Sequence, residues 1–131
     1  MKKFVFLCVF FAFSLSSRAQ DSGIRFFHGT WDEAIALAKK EKKKIFVDFY
    51  TEWCGPCLNM SLTVFVLPQV GEVYNKNFVC LKIDAEKGEG RELAKRYGVT
   101  SYPTYIFINP KSQEIIHRSG SNKPAEDFLY D

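Results

Sequence analysis

The stretch from Lys44 to Cys57, KIFVDFYTEWCGPC, constrains this chain more than any other part of it. Its first seven residues, Lys44 to Tyr50, are nearly continuously apolar. That pattern belongs to a strand buried on both faces of a parallel sheet, since a half-solvated strand would alternate. Such a strand requires helical layers above and below it. A lone acid, Asp48, interrupts the run, and two cysteines in C-x-x-C spacing follow at once. Chemistry in open α/β sheets gathers beyond the carboxyl ends of strands, which is where Cys54 falls.

The flanking sequence alternates between helix and strand signals. Thr30 with Glu33 three residues on forms a capping box. Trp31, Ile35, Leu37 and Ala38 give the apolar positions of a helix reaching about Lys42. Leu58, Met60, Leu62 and Phe65 carry a helix out of the cysteine pair, and Pro68 opens another through Val70, Val73 and Tyr74. Phe78 to Asp84 reads as a second strand. The Gly-rich stretch at 87–90 leads to a short helix over Arg91 to Tyr97, which Gly98 ends. Thr104 to Ile108 and Glu114 to His117 read as strands joined through Asn109-Pro110-Lys111 in a hairpin. A weak first strand is expected at Ile24 to Phe27, and a last helix from Ser121 or Asn122. The sum is an α/β domain with a central mixed β-sheet and helices on both faces.

The N-terminus has a different character. Lys2 and Lys3 precede an unbroken apolar run from Phe4 to Phe13, followed by serines and the small-residue site Ser17-Arg18-Ala19. The run is shorter than the roughly 20 residues needed to span a bilayer. Residues 1–20 are therefore predicted to be a secretory signal peptide, leaving one domain over 21–131 in an exported, periplasmic protein. An uncleaved anchor is the alternative. Cys8 lies inside the apolar run and leaves with the signal.

Three of the 18 Lys and Arg residues, Lys2, Lys3 and Arg18, lie in that segment with none of the 15 acids, so the rest of the chain is neutral. That balance argues against a nucleic-acid partner. The basic cluster at 39–44 falls where a helix ends and cations oppose the negative end of the dipole. Three cysteines remain, Cys54, Cys57 and Cys80, too few for a disulfide framework, so the domain must rest on its core. Cys80, on an apolar strand, is expected to be a buried core thiol. His28 and His117 lack the second close ligand pair that zinc requires, and no metal is expected.

The cysteine pair itself is asymmetric. Cys54 at the helix start faces unpaired backbone N–H groups and the positive end of the dipole, which favour an exposed, easily ionised thiolate. Cys57, one turn on, should be more buried and less acidic. Cys54 would then attack a disulfide and Cys57 would displace the captured partner. Gly55 and Pro56 permit the tight entry into the helix.

The motif Trp53-Cys54-Gly55-Pro56-Cys57 is identical to the active-site sequence of thioredoxins, and Val47-Asp48-Phe49 resembles their buried strand. The similarity runs over most of residues 28–131. With the signal peptide, the chain is most similar to exported thioredoxin-like proteins and to the soluble C-terminal domain of the Dsb-system membrane electron transporter. The resemblance implies a thioredoxin fold. It also implies that Asp48 is the buried aspartate that helps deprotonate Cys57, a role suited by the raised pKa of a desolvated carboxylate. An Asp capping a neighbouring backbone group is the alternative. Lys82 matches the lysine near that aspartate, unless it points to solvent from a sheet edge. Ser101-Tyr102-Pro103-Thr104 resembles the cis-proline loop that pairs with extended substrate, so Pro103 is predicted cis. Trp53, Gly55, Pro56, Tyr102 and Pro103 become the substrate-binding residues. Tyr102 departs from the small aliphatic residue common there, and Glu52 adds an acid.

The function expected is thiol:disulfide exchange on exported proteins, in the reducing direction, by a monomer without a bound cofactor and supplied by a membrane electron donor of the Dsb type. Alternatives are a periplasmic oxidase or isomerase, a redox-inactive peptide-binding module, and a metallochaperone. The closing helix over Pro124 to Asp131 is shorter than usual for the family, with reduced stability as the expected cost.

Overall fold

A computed structural model describes residues 22–131. The expected signal peptide over residues 1–20 lies outside the described residues. Among the described residues, no helix is long and apolar enough to cross a membrane.

The chain runs α1 (Trp31–Glu41), β1 (Lys44–Tyr50), α2 (Gly55–Thr63), α3 (Pro68–Asn77), β2 (Phe78–Asp84), α4 (Gly90–Arg96), β3 (Thr104–Ile108), β4 (Ile115–Gly120) and α5 (Ala125–Phe128). The four strands form one mixed sheet in the order β2-β1-β3-β4. β1 is parallel to β2 and antiparallel to β3, which is antiparallel to β4. β1 therefore has a strand on each side. Its five central residues, Ile45 to Phe49, are all buried, as its sequence demanded.

Alternation along β1 splits the interior in two. Ile45, Val47 and Phe49 pack with Leu81, Ile106 and Ile108 beneath α1 and α4. Phe46 points to the other face, where Met60, Val64, Phe65, Val70, Tyr74, Tyr105, Phe107 and Phe128 close the core under α2, α3 and α5. Asp48, two residues after Phe46, lies on this second face.

Local chemistry explains the helix ends. The Glu33 amide donates to Thr30 Oγ1 at 3.2 Å and the Thr30 amide donates to Glu33 Oε2 at 2.7 Å, completing the capping box of α1. The helix closes on Lys42 in a left-handed conformation, with Lys39 and Lys40 in its last turn. Pro68 opens α3 in its first turn, where a missing N–H costs nothing.

Three expectations need correction. The first strand at Ile24 to Phe27 is reduced to a single parallel bridge between Phe26 and Cys80. The segment is instead laced to α3 and its approach. The Ile24 amide donates to Phe65 O (2.7 Å), the Arg25 amide to Asn75 Oδ1 (2.8 Å), and Asn75 Nδ2 to Gly23 O (2.9 Å). These side-chain and turn partners satisfy the backbone that a strand neighbour would otherwise serve. The last helix starts at Ala125, not at Ser121 or Asn122, because Pro124 disfavours helical geometry in the residue before it. β4 also runs on to Gly120, beyond His117.

Gly71 is the point where the lacing depends on a missing side chain. A Cβ there would lie 2.2 Å from Gly23 O and 2.7 Å from Gly23 Cα. Both atoms are backbone and have no rotamer to yield. Gly71→Ala should gain about 1 kcal/mol of helix propensity but lose about 1–3 kcal/mol to overpacking, for a net destabilisation of about 1 kcal/mol. Urea unfolding should show a lower midpoint at unchanged slope. A variant as stable as the parent would show that residues 23–25 are not clamped to α3.

Candidate active site

The end of β1 and the start of α2 build the site. Thr51 is buried, and its carbonyl accepts from the Cys54 amide at 3.3 Å, turning the chain into the helix. Cys54 is the N-cap of α2, and its sulfur accepts from the Cys57 amide at 3.2 Å. Cys54 and Cys57 are joined as a disulfide with Cα atoms 5.3 Å apart. The sulfur of Cys54 thus occupies the place where an N-cap oxygen usually sits, facing the unpaired amides of the first turn.

Cys57 is 3% exposed, as expected of the inner cysteine, but Cys54 is only 6% exposed. Broad exposure of Cys54 is therefore corrected, because the capping geometry folds its side chain back over the first turn. Cys57, Met60 and Val64 follow one another at three- and four-residue spacing along the buried face of α2. This face lies on the half of the core that Asp48 enters.

Asp48 is 1% exposed, and neither carboxylate oxygen has a hydrogen-bond partner among the described residues. Burial pushes its pKa up from 3.8 to about 7, against a smaller downward pull from Lys82. Capping of a backbone group is excluded by the absence of any such bond. On either side of it in the sheet stand Lys82 in β2 and Tyr105 in β3. The Tyr105 hydroxyl donates elsewhere, to Ser121 O at 3.3 Å. Lys82 is partly buried. Its ammonium donates to Ser61 Oγ on α2 and lies 5.0 Å from the centre of the Tyr50 ring.

The rim is aromatic. Trp53 is 69% exposed, and its indole N–H donates to Glu86 Oε1 at 3.0 Å. Its ring meets Tyr102 edge-on at 5.8 Å, which brings the Ser101–Thr104 loop beside the cysteine motif. The Tyr102–Pro103 peptide bond is cis, and Pro103 is buried. Glu52 pairs with Lys87 in full view of solvent, a contact worth little. Gly55 and Pro56 form the first turn of α2 and have exposed side positions.

The remaining candidates lie apart. Cys80 is buried beneath Tyr74 and Phe78, and burial pushes its thiol up to about 12. His117 sits on β4 against Asp131 at 3.7 Å. Among the described residues, no group of three or more His, Cys, Asp and Glu side chains is placed to hold a metal. Sequence reasoning missed Ser61 and Glu86, because each acts through a partner more than 20 positions away.

The family model described as Thioredoxin-like matches residues 27–110, an interval that holds β1, the cysteine pair, Asp48, Lys82 and the cis-proline loop. The chain belongs to the thioredoxin-like family. The solution structure of a candidate disulphide-isomerase from Bacteroides thetaiotaomicron shares this thioredoxin-like fold at a TM-score of 0.75. It is 46% identical, over 86% of this chain and 92% of that one. Thioredoxin-1 of Drosophila yakuba is 44% identical over 68 residues, covering 52% of this chain and 59% of that one. Thiol:disulfide interchange protein DsbD 2 of Pseudomonas aeruginosa is 33% identical over 84 residues, 63% of this chain and 14% of that protein. The chain thus spans less than two thirds of either full-length relative.

Proposed function

We propose that this thioredoxin-like protein is a thiol:disulfide oxidoreductase that reduces disulfide-containing proteins outside the cytosol. The observation that carries the proposal is the Cys54–Cys57 pair at the N-terminus of α2, with the outer sulfur capping the helix. In the reduced protein, the Cys54 thiolate attacks one sulfur of a substrate disulfide. A mixed disulfide forms and the other substrate sulfur leaves as a thiolate. Cys57 then loses its proton to Asp48 and displaces the substrate from Cys54. The products are a dithiol substrate and the Cys54–Cys57 disulfide, so two electrons have passed to the substrate. Helix N–H groups and the dipole stabilise the Cys54 anion that starts this cycle. No bound cofactor is required, since the cysteine pair carries the electrons.

Trp53, Tyr102 and Pro103 supply the surface on which an extended peptide lies, and Gly55 and Pro56 leave the disulfide approachable. Similarity to a DsbD protein supports a membrane dithiol donor and a periplasmic setting. The protein works as a monomer with its export signal over residues 1–20 removed. Similarity to a candidate disulphide-isomerase favours a second reading, rearrangement of wrong disulfides.

Cys54→Ser should reduce the rate of insulin reduction by dithiothreitol to the uncatalysed rate. Cys57→Ser should retain the first attack and accumulate covalent substrate complexes that dithiothreitol releases. Full activity of Cys54→Ser, or no trapping by Cys57→Ser, refutes the exchange mechanism and leaves a peptide-binding module. A reduction potential near about −270 mV fits a reductant and one near about −120 mV an oxidant. Reactivation of a protein with scrambled disulfides identifies an isomerase.

A further inference from the structure

Lys82 stands directly across from Asp48 on the neighbouring strand. Parallel strands are separated by about 4.8 Å, so an ion pair between these side chains would be the simplest outcome. It is not what the structure contains. The Asp48 oxygens have no hydrogen-bond partner among the described residues, while the Lys82 ammonium is bonded to Ser61 Oγ. We propose that Ser61 is a positioning residue: its hydroxyl accepts from Lys82 and holds that cation away from Asp48, so that the buried acid has no directly bonded counter-ion among the described residues.

The other groups around Asp48 do not replace the missing partner. Tyr50 shares its strand and takes the Lys82 ammonium over its ring at 5.0 Å. Tyr105, from β3, donates to Ser121 O. From α2 comes Cys57, in its disulfide. Lys123 lies over the Tyr105 ring at 5.9 Å and pairs with Asp131 at 2.8 Å. Among the described residues, Lys82 is the one cation whose charge lowers Asp48, and it does so only partly. Ser61 lies one turn beyond Cys57 on the same helix, so the serine links the resolving cysteine's helix to the acid's electrostatics.

This placement stands on the geometry alone; its consequence for turnover rests on the proposed role of Asp48 as base for Cys57. The test is a titration of the Asp48 carboxyl carbon by NMR in the full chain, with the cysteines oxidised. Ser61→Ala frees the ammonium to approach the carboxylate, and an opposite charge within about 4–6 Å lowers a carboxyl pKa by about 1–3. The midpoint should fall by at least about one pH unit in Ser61→Ala and stay at the parent value in Ser61→Thr, which keeps the hydroxyl. A Ser61→Ala midpoint equal to the parent's overturns the proposal, as does an equal fall in both variants. The acid limb of reductase activity should move with the midpoint. If the midpoint moves and the activity profile does not, Ser61 keeps its role and Asp48 is not the base. If the parent shows no reductase activity, the proposed function fails independently of the titration.

Discussion

Asp48→Asn is expected to unfold at markedly higher denaturant than the parent protein at pH 8, and to differ little from it at pH 3. The effect follows from burial without a partner. In the unfolded chain, Asp48 ionises near 3.8; in the folded protein, desolvation raises this to about 7. The folded state therefore holds the proton more tightly. Stability from this group is complete below about pH 3.8, is lost as pH rises towards 7, and stays lost above it. A difference of about three pKa units at 1.36 kcal/mol each makes the loss about 4 kcal/mol. Asparagine cannot ionise, so it escapes the loss, less the cost of burying an amide with few partners. Comparing the two proteins at each pH cancels the carboxylates they share. A difference between them that does not vary with pH would show that Asp48 does not ionise in a buried site. On the proposed role of Asp48 as base for Cys57, the same variant should also turn over more slowly. On that proposal, stability and activity are set against each other at Asp48, the one acid in the buried part of the strand.

Phe128→Ala should destabilise the protein by about 3–5 kcal/mol, a large part of the 5–15 kcal/mol that holds a typical domain. Phe128 is fully buried at the end of α5, a helix of only four residues with no side-chain cap. A helix so short has no stability of its own and persists through packing. The Phe128 ring stacks on Tyr74 at 4.6 Å and 7°, and meets Tyr105, Phe65 and Phe46 at 5.2–5.8 Å. The Tyr74 hydroxyl donates to Phe128 O at 2.9 Å. Alanine leaves a cavity ringed by four aromatic side chains, none of which can move in without breaking its other contacts. Denaturant unfolding measures the loss, and hydrogen exchange at 125–131 should rise towards that of an open segment. A loss below about 1 kcal/mol would mean that α5 lies outside the cooperative core. The expectation that a short closing helix costs stability is thereby sharpened: one phenylalanine carries what a longer helix would spread over several residues.

The fold was legible wherever burial and local chemistry agreed. β1 announced itself because both of its faces are covered, so in its buried stretch Ile45 to Phe49 every residue but Asp48 is apolar. α1 announced itself through Thr30 and Glu33, whose reciprocal hydrogen bonds lie within four residues. Where the satisfying partner is distant, legibility failed. Ile24 to Phe27 has strand-like composition, yet its amides are served by Phe65 and Asn75, leaving one bridge. The start of α5 was placed three or four residues early, because Lys123 and Pro124 extend the chain before the helix can begin. β4 is an edge strand with four exposed residues at its start, including Ile115 and Ile116, so no alternation marked its length.

For the site, the sequence by itself determined the order of events along the chain: a buried strand with one acid, a turn, two cysteines one helical turn apart, and a later Tyr-Pro loop. Those features depend on neighbours within a few residues. Only the tertiary structure decided where the charges and rings stand. Strand pairing sets Lys82 opposite Asp48, helix packing hands its ammonium to Ser61, and loop closure lays Tyr102 against Trp53. Each of these is a contact between segments distant in sequence. Its energy depends on burial and on the direction of a side chain, quantities that do not exist until the sheet and its two helical layers have assembled.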